Sequence, residues 1–296
     1  MWIFQMRPML LRRFWLFVGA ADKNAILTSY DSGADVCIQE FEDFWVPELR
    51  REARLMMADV LSDWRARKIV ATVRINPLEH LDGLKDLDAA MRASADAILL
   101  PKANIKEQIM LLQKHINEME KQYGRYVNST TIIPNIEQAR GLMNATDILS
   151  SGTQIAGALV ASQDMVVSLN APRKKNSEIL NHVRSMFHIA CCSAGITSID
   201  MPYTFTDDEG VRQQTIFARD IGMLAKSAVN ANHCKIINEI LTPNERKVEN
   251  AAEIVSACEN ARYSGEGQVN HKGIKIEVPI YMNVKQIIER FEALSG

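Results

Sequence analysis

Hydrophobic positions along this chain gather into short, β-branched runs, each followed by an amphipathic stretch. The runs cover residues 15–18, 36–41, 69–75, 97–100, 130–136, 155–161, 195–201 and 223–229. The stretches between them carry apolar residues at helical spacing. Over 105–123, for example, Ile109, Leu112 and Ile116 share one face. Strands that alternate with helices imply parallel pairing through crossovers. Runs that are apolar on both faces suit a sheet covered on one side and closed on the other. Eight such units predict an α/β fold, a (β/α)8 barrel. A doubly wound sheet is the structural alternative, but no Gly-x-Gly-x-x-Gly follows the first strand, which argues against dinucleotide binding.

After residue 229 the pattern turns helical, over 234–241 and 245–263. The polar, glycine-containing segment 264–273 reads as a mobile loop or hinge, and a short tail follows. The expected organisation is a barrel core over 1–232, closing helices over 233–263, and a flexible loop with a lid-like tail over 264–296. The first twenty residues are apolar but are interrupted by Arg7, Arg12 and Arg13, so 13–20 reads as a buried strand and not as a signal peptide.

Composition narrows the class. Hydrophobic residues make up 47% and charged residues 24%, a globular mix that excludes disorder, collagen and coiled coil for the whole chain. Basic and acidic residues number 34 and 36, so a net charge of −2 leaves no electrostatic footprint for nucleic acid. No uncharged run reaches the ~18 residues of a membrane span, and no membrane partner is expected. The five cysteines show neither a CxxC nor a zinc-ligand spacing. They read as free thiols in a reducing, cytoplasmic compartment, with Cys191 and Cys192 buried. His115, His182 and His188 lie on helical stretches at no ligand spacing and read as structural.

The candidate chemistry lies where a barrel places it, at the C-terminal ends of the strands. Those ends read EFED (40–43), VRINP (73–77), LLPK (99–102), PNIEQARG (134–141), ASQD (161–164) and DMPY (200–203). Glu137 and Asp164 end adjacent strands and suit Mg2+, which takes one or two carboxylates and keeps positions for water and substrate oxygens. Glu42 and Asp43 are placed to hold the waters of such a metal. Arg74 carries a planar fork suited to a carboxylate or enolate oxygen. On residue pattern alone, each acidic residue reads equally as a helix cap or an ion-pair partner, and Lys102 as a solvated loop charge.

Taken in order, these segments resemble the HpcH/HpaI aldolase and citrate lyase β-subunit family. The resemblance runs from about residue 12 to about residue 288. Leu16 to Val18, Ser32 to Asp35 and Phe41 to Asp43 are similar to the family's first two barrel units, VRINP and LLPK to its Val-Arg-Val-Asn and Leu-Pro-Lys segments, and 135–145 to its Ile-Glu-Thr-Ala-Arg-Gly helix start. Segments 198–214 and 238–248 also match.

The resemblance implies a barrel of the phosphoenolpyruvate/pyruvate-domain type and a Mg2+-dependent carbon–carbon lyase, with Mn2+ as an alternative ion. Its substrate would be a 3-hydroxyacyl-CoA, citramalyl-, malyl- or citryl-CoA-like, or the corresponding acyl-carrier thioester, cleaved to acetyl-CoA and a keto acid. A metal-dependent aldolase on a free hydroxy-oxo acid, or a catalytically altered subunit of a larger complex, are the alternatives. The resemblance assigns the metal to Glu137 and Asp164 and substrate contacts to Arg74 and Arg13; Lys102 is expected as a further substrate contact, and Arg74, Glu42, Asp43 and Glu277 as catalytic. Glu277 aligns with an Asp that related lyases supply from a C-terminal segment, often of a neighbouring subunit. A homotrimer or homohexamer is also implied. The chain departs from the family at Gly19–Ala20 in place of Pro-Gly, at Gln163 in place of Glu, at Asn230–Ala231 in place of His-Pro, and in the bulky Phe44–Trp45 after the acidic strand end.

Overall fold

A computed structural model describes residues 7–43, 46–175, 177–264 and 269–295 of the chain. Phe44 and Trp45, and residues 265–268 of the expected loop, lie outside the described residues. Eight parallel strands close into a barrel in sequence order, with β1 paired to both β2 and β8. They are β1 (Phe14–Gly19), β2 (Val36–Glu40), β3 (Val70–Arg74), β4 (Ala97–Leu100), β5 (Thr131–Ile136), β6 (Gly157–Val160), β7 (Thr197–Tyr203) and β8 (Ala225–Ala228). Each falls on one of the eight apolar runs. The helices between them are α1 (Lys23–Tyr30), α2 (Arg50–Ala66), α3 (Gly83–Arg92), α4 (Lys106–Gln122), α5 (Ala139–Met143), α6 (Ala145–Leu149), α7 (Gln163–Ser168), α8 (Glu178–Ala194) and α9 (Asp208–Asp220).

Alternation along the strands sets the two layers. Trp15, Phe17, Val36, Ile38, Val70, Ala97, Leu99, Ile133, Leu159, Ile199 and Ala225 form one buried cluster that fills the barrel. Their strand neighbours Leu16, Cys37, Ala71, Ile98, Ile132 and Ala158 are buried on the opposite face, under the helices. Helix starts follow local chemistry. Asp22 accepts hydrogen bonds from the N–H groups of Asn24 and Ala25 at the head of α1, and Asp207 accepts one from Gly210 at the head of α9. Gly195, at φ 69, ends α8 in the left-handed conformation that glycine adopts without strain.

One polar cluster crosses the outer layer. Asp200 of β7 accepts hydrogen bonds from Arg184 Nε and Nη2 of α8, both at 2.7 Å, and from Lys226 Nζ of β8 at 2.6 Å. All three side chains are buried. Asp200 therefore holds a helix and a strand to its own strand and does not act as a helix cap. Cys191 is buried as expected, but Cys192 is exposed on the solvent side of α8, and all five cysteines are free.

The chain divides into two compact units, residues 1–238 and 239–296, within α10 (Cys234–Leu241). The expected boundaries at 232 and 263 differ from this division. In the second unit, α11 (Glu245–Ser264), an antiparallel hairpin of β9 (Val269–His271) and β10 (Ile274–Ile276), and α12 (Val278–Ser295) share a small core of Ala251, Ile254, Ile276 and Val284. The segment expected as loop and tail thus contains a hairpin and an 18-residue helix. Among the described residues, no helix is long and apolar enough to cross a membrane.

Candidate active site

Strand register assembles the site. Glu40, the last residue of β2, is paired in register with Arg74, the last of β3, and both follow the inward-facing positions of their strands. Arg74 is buried and meets four carboxylates. Its Nε donates to Glu40 Oε2 at 2.5 Å. Its Nη1 lies 3.2 Å from Glu42 Oε2 and 3.7 Å from Glu137 Oε2, and its Nη2 donates to Asp43 Oδ2 at 3.2 Å. Glu40 also accepts the backbone N–H groups of Glu42 and Asp43, at 2.7 and 3.2 Å, which folds the acidic strand end over the guanidinium. The Arg74 guanidinium lies over the Phe17 ring, 5.2 Å from its centroid.

Glu137 immediately follows β5. Its Oε1 accepts the backbone N–H of Lys102 at 2.5 Å, and its Oε2 accepts Asn135 Nδ2 at 2.7 Å. Burial pushes its carboxyl up to about 8, with Glu42 and Asp164 adding to the shift and Arg74 opposing it. Burial likewise raises Glu40 and Glu42 against the pull of Arg74. Burial opposes the charge of Arg74, but Glu40, Glu137 and Glu42 hold its proton more tightly than usual. Asp164 lies in the first turn of α7, half-buried.

Glu137, Asp164, Arg74 and Asp43 line one cavity of about 140 Å³, together with Phe17 and Gln163. Among the described residues, no group of three or more His, Cys, Asp or Glu side chains is arranged as a metal cluster. Glu42 and Lys102 are joined by a 2.6 Å contact from Lys102 Nζ to Glu42 Oε1.

One expected site residue stands at the other end of the barrel, and another belongs to the second unit. Arg13 precedes β1 and pairs through Nε with Asp35, which precedes β2, at 3.2 Å. Both stand at the N-terminal ends of the strands, the opposite end of the barrel from Arg74 and Glu137, so Arg13 is not a residue of this mouth. Glu277 belongs to the C-terminal unit, exposed between β10 and α12, with Lys275 Nζ at 3.7 Å. Glu40 and Asn135 were missed as individual site residues. The signal was present for Glu40, because a period of two puts Val36, Ile38 and Glu40 on one face.

A profile of the HpcH/HpaI aldolase/citrate lyase family matches residues 13–231. The chain belongs to this family. The match spans the whole barrel, including every residue of the mouth. Similar members include the citrate lyase subunit beta of Escherichia coli K12, 29% identical over 99% of this chain and 97% of that one. Another is the L-malyl-CoA/beta-methylmalyl-CoA lyase of Cereibacter sphaeroides, 26% identical over 90% of each. These members are named as lyases, and the chain falls among carbon–carbon lyases. Among solved structures, the CitE protein of Mycobacterium tuberculosis in complex with magnesium, acetoacetate and coenzyme A superposes with a TM-score of 0.78, at 21% identity, over 95% of this chain and 98% of that one. That likeness carries the (β/α)8 fold.

Proposed function

We propose that the chain is a divalent-cation-dependent lyase, using Mg2+ or Mn2+, that cleaves a 3-hydroxyacyl thioester of a dicarboxylic or tricarboxylic acid. Malyl-, citramalyl- and citryl-CoA are the substrates in view, with an acyl-carrier thioester as the other form. The observation that carries this reading is the joint lining of one cavity by Glu137, Asp164 and Arg74. Two carboxylates fit a hard cation that fills its remaining positions with water and substrate oxygens. After Lys102 and Asn135 have donated, each Glu137 oxygen retains a lone pair for such an ion. When bound there, Mg2+ supplies Lewis-acid charge to the substrate's hydroxyl and carboxylate oxygens.

In the cleavage, the hydroxyl loses its proton and becomes a carbonyl. The bond from that carbon to the thioester's α-carbon breaks. The electron pair is left on a thioester enolate, which then takes a proton to give the acetyl thioester. Arg74 faces the cavity with its charge fixed in place by Glu40, a preorganised partner for the developing negative charge. Asp43 is the exposed one of the four carboxylates on Arg74, at 48% side-chain exposure, and is therefore the one that a substrate carboxylate displaces from Nη2. Phe17 supplies an apolar wall that limits water.

The similarity to an L-malyl-CoA/beta-methylmalyl-CoA lyase supports a thioester substrate. Asn230 favours a second reading, a free hydroxy-oxo acid. It caps the turn after β8 through the N–H of Asn232, at 3.0 Å, where the family resemblance expects the His-Pro that neighbours CoA. Calorimetric titration with CoA separates the two, since binding supports the thioester. A homotrimer or homohexamer in a reducing, cytoplasmic compartment completes the reading, and light scattering reads the assembly.

The deciding experiment is acetyl-CoA release from the three thioesters with and without Mg2+, for wild type, Glu137→Gln and Asp164→Asn. Release should require the metal and vanish in both variants. No release from any thioester at high enzyme concentration, or release that survives chelation, sinks the proposal.

A further inference from the structure

Resting on that reading of the site, we infer that Lys102 is a positioning residue and not a substrate ligand. It aims Glu137 through its backbone and Arg74 through Glu42.

Lys102 has φ 50, the left-handed conformation that side-chain-bearing residues rarely adopt. A glycine would take this backbone without strain. Lys68 and Lys272 share this backbone region, so what sets Lys102 apart is its contacts. The turn is tied to the end of β5 at two points, and a third bond holds Glu137 from within that strand end. Lys102 N–H donates to Glu137 Oε1 at 2.5 Å, Ala103 N–H donates to the Asn135 carbonyl at 3.1 Å, and Asn135 Nδ2 donates to Glu137 Oε2 at 2.7 Å. The plane of the Glu137 carboxylate is thereby set from both sides.

The side chain leads to a second partner. Lys102 Nζ donates to Glu42 Oε1 at 2.6 Å, and the other oxygen of Glu42 stands 3.2 Å from Arg74 Nη1. Glu42 is nearly buried. The ammonium holds one of its oxygens and leaves the other turned toward Arg74, so that the guanidinium is gripped by Glu40 on one side and Glu42 on the other. Neither Lys102 nor Glu42 is among the described residues that line the cavity with Arg74, Glu137 and Asp164.

The test uses the full chain and three variants. Lys102→Met and Lys102→Gly both remove the ammonium and keep the backbone N–H, and Lys102→Gly also removes the strain. Lys102→Arg restores a cation. The readouts are the Mg2+ Kd by calorimetry without substrate, kcat and KM on the thioester that the wild type cleaves, and Tm. Positioning predicts that Met and Gly lower kcat by about tenfold or more with KM within about twofold. It predicts that the Mg2+ Kd of Lys102→Met stays within about threefold of wild type, because the N–H that holds Glu137 is kept. Lys102→Arg should return kcat to within about fivefold of wild type. A KM raised about tenfold, with kcat and Mg2+ Kd unchanged, overturns the inference in favour of a substrate ligand. Unchanged values throughout overturn it in favour of a solvated loop charge. A wild type that neither binds Mg2+ nor cleaves a thioester overturns the reading of the site, and this inference with it.

Discussion

Replacing Arg74 by lysine keeps one positive charge and removes the planar fork. In the native site, Nε serves Glu40 at 2.5 Å, Nη1 faces Glu42 at 3.2 Å and Glu137 at 3.7 Å, and Nη2 meets Asp43 at 3.2 Å. A single ammonium cannot stand on both sides of that fork. If it stays with Glu40, the partner most completely buried, Glu42 and Glu137 lose their shared cation. Hydrogen bonds to charged groups contribute ~1.5–3 kcal/mol each, and the half-exposed Asp43 adds little. The variant should therefore lose about 2–4 kcal/mol of stability, which for a unit of 238 residues corresponds to roughly 4–16 °C in Tm. Turnover should fall by ~10²-fold or more, the value of one preorganised donor facing transition-state charge. Circular dichroism melts and acetyl-CoA release from the best thioester read the two effects. A variant with Tm within about 1 °C and turnover within about fivefold of wild type would refute the reasoning.

Other expectations concern the frame around the site. Asp200→Asn leaves Arg184 and Lys226, buried at 1% and 0% side-chain exposure, facing each other without an anion. It should destabilise the barrel by about 3–5 kcal/mol, read by urea denaturation, and leave the Mg2+ Kd unchanged. The same carboxyl sets a pH dependence. Burial pushes it upward, but Arg184 and Lys226 bring it below the ordinary 3.8. Its contribution is thus fully present above that ordinary value and is lost as pH falls through the lower folded value. The stability gap between wild type and Asp200→Asn should narrow below about pH 4, and a constant gap down to about pH 3 would contradict the linkage. Gly210→Ala would place a Cβ 1.8 Å from the Tyr203 hydroxyl, which donates to Asp207 at 2.6 Å. A loss of about 1–3 kcal/mol in the same denaturation experiment is expected.

The barrel was legible in the sequence because eight apolar runs alternate with amphipathic stretches, and periodicity of this kind survives without any knowledge of tertiary contacts. The mouth was legible as far as strand ends reveal it. Arg74, Glu137 and Asp164 end or follow β3, β5 and β6, and the structure brings them to one cavity. Arg13 was not legible from resemblance alone. It stands before its strand and not after it, and that polarity sends it to the opposite end of a parallel barrel. Glu40 was hidden by its own neighbourhood. Three acidic residues crowd the segment 40–43, and only the pleat of β2 separates the one that points inward from those that the following turn carries. In the C-terminal unit the helix over 245–263 was legible, but the hairpin and the last helix were not, for a different reason. Its strands have three residues each, too short for alternation to register, and its core is four buried side chains.

The register between β2 and β3 ties the chemistry to the folding of the chain. With Glu40 opposite Arg74, a shift of β2 by one residue would turn the carboxylate outward and take from Arg74 the buried partner of its Nε. Such a slipped barrel would be penalised by several kcal/mol for the broken buried pair, before any loop formed over it. The pair that prepares Arg74 for substrate therefore also proofreads strand alignment. Refolded material should divide into fully competent molecules and misassembled ones, with few that are folded but sluggish.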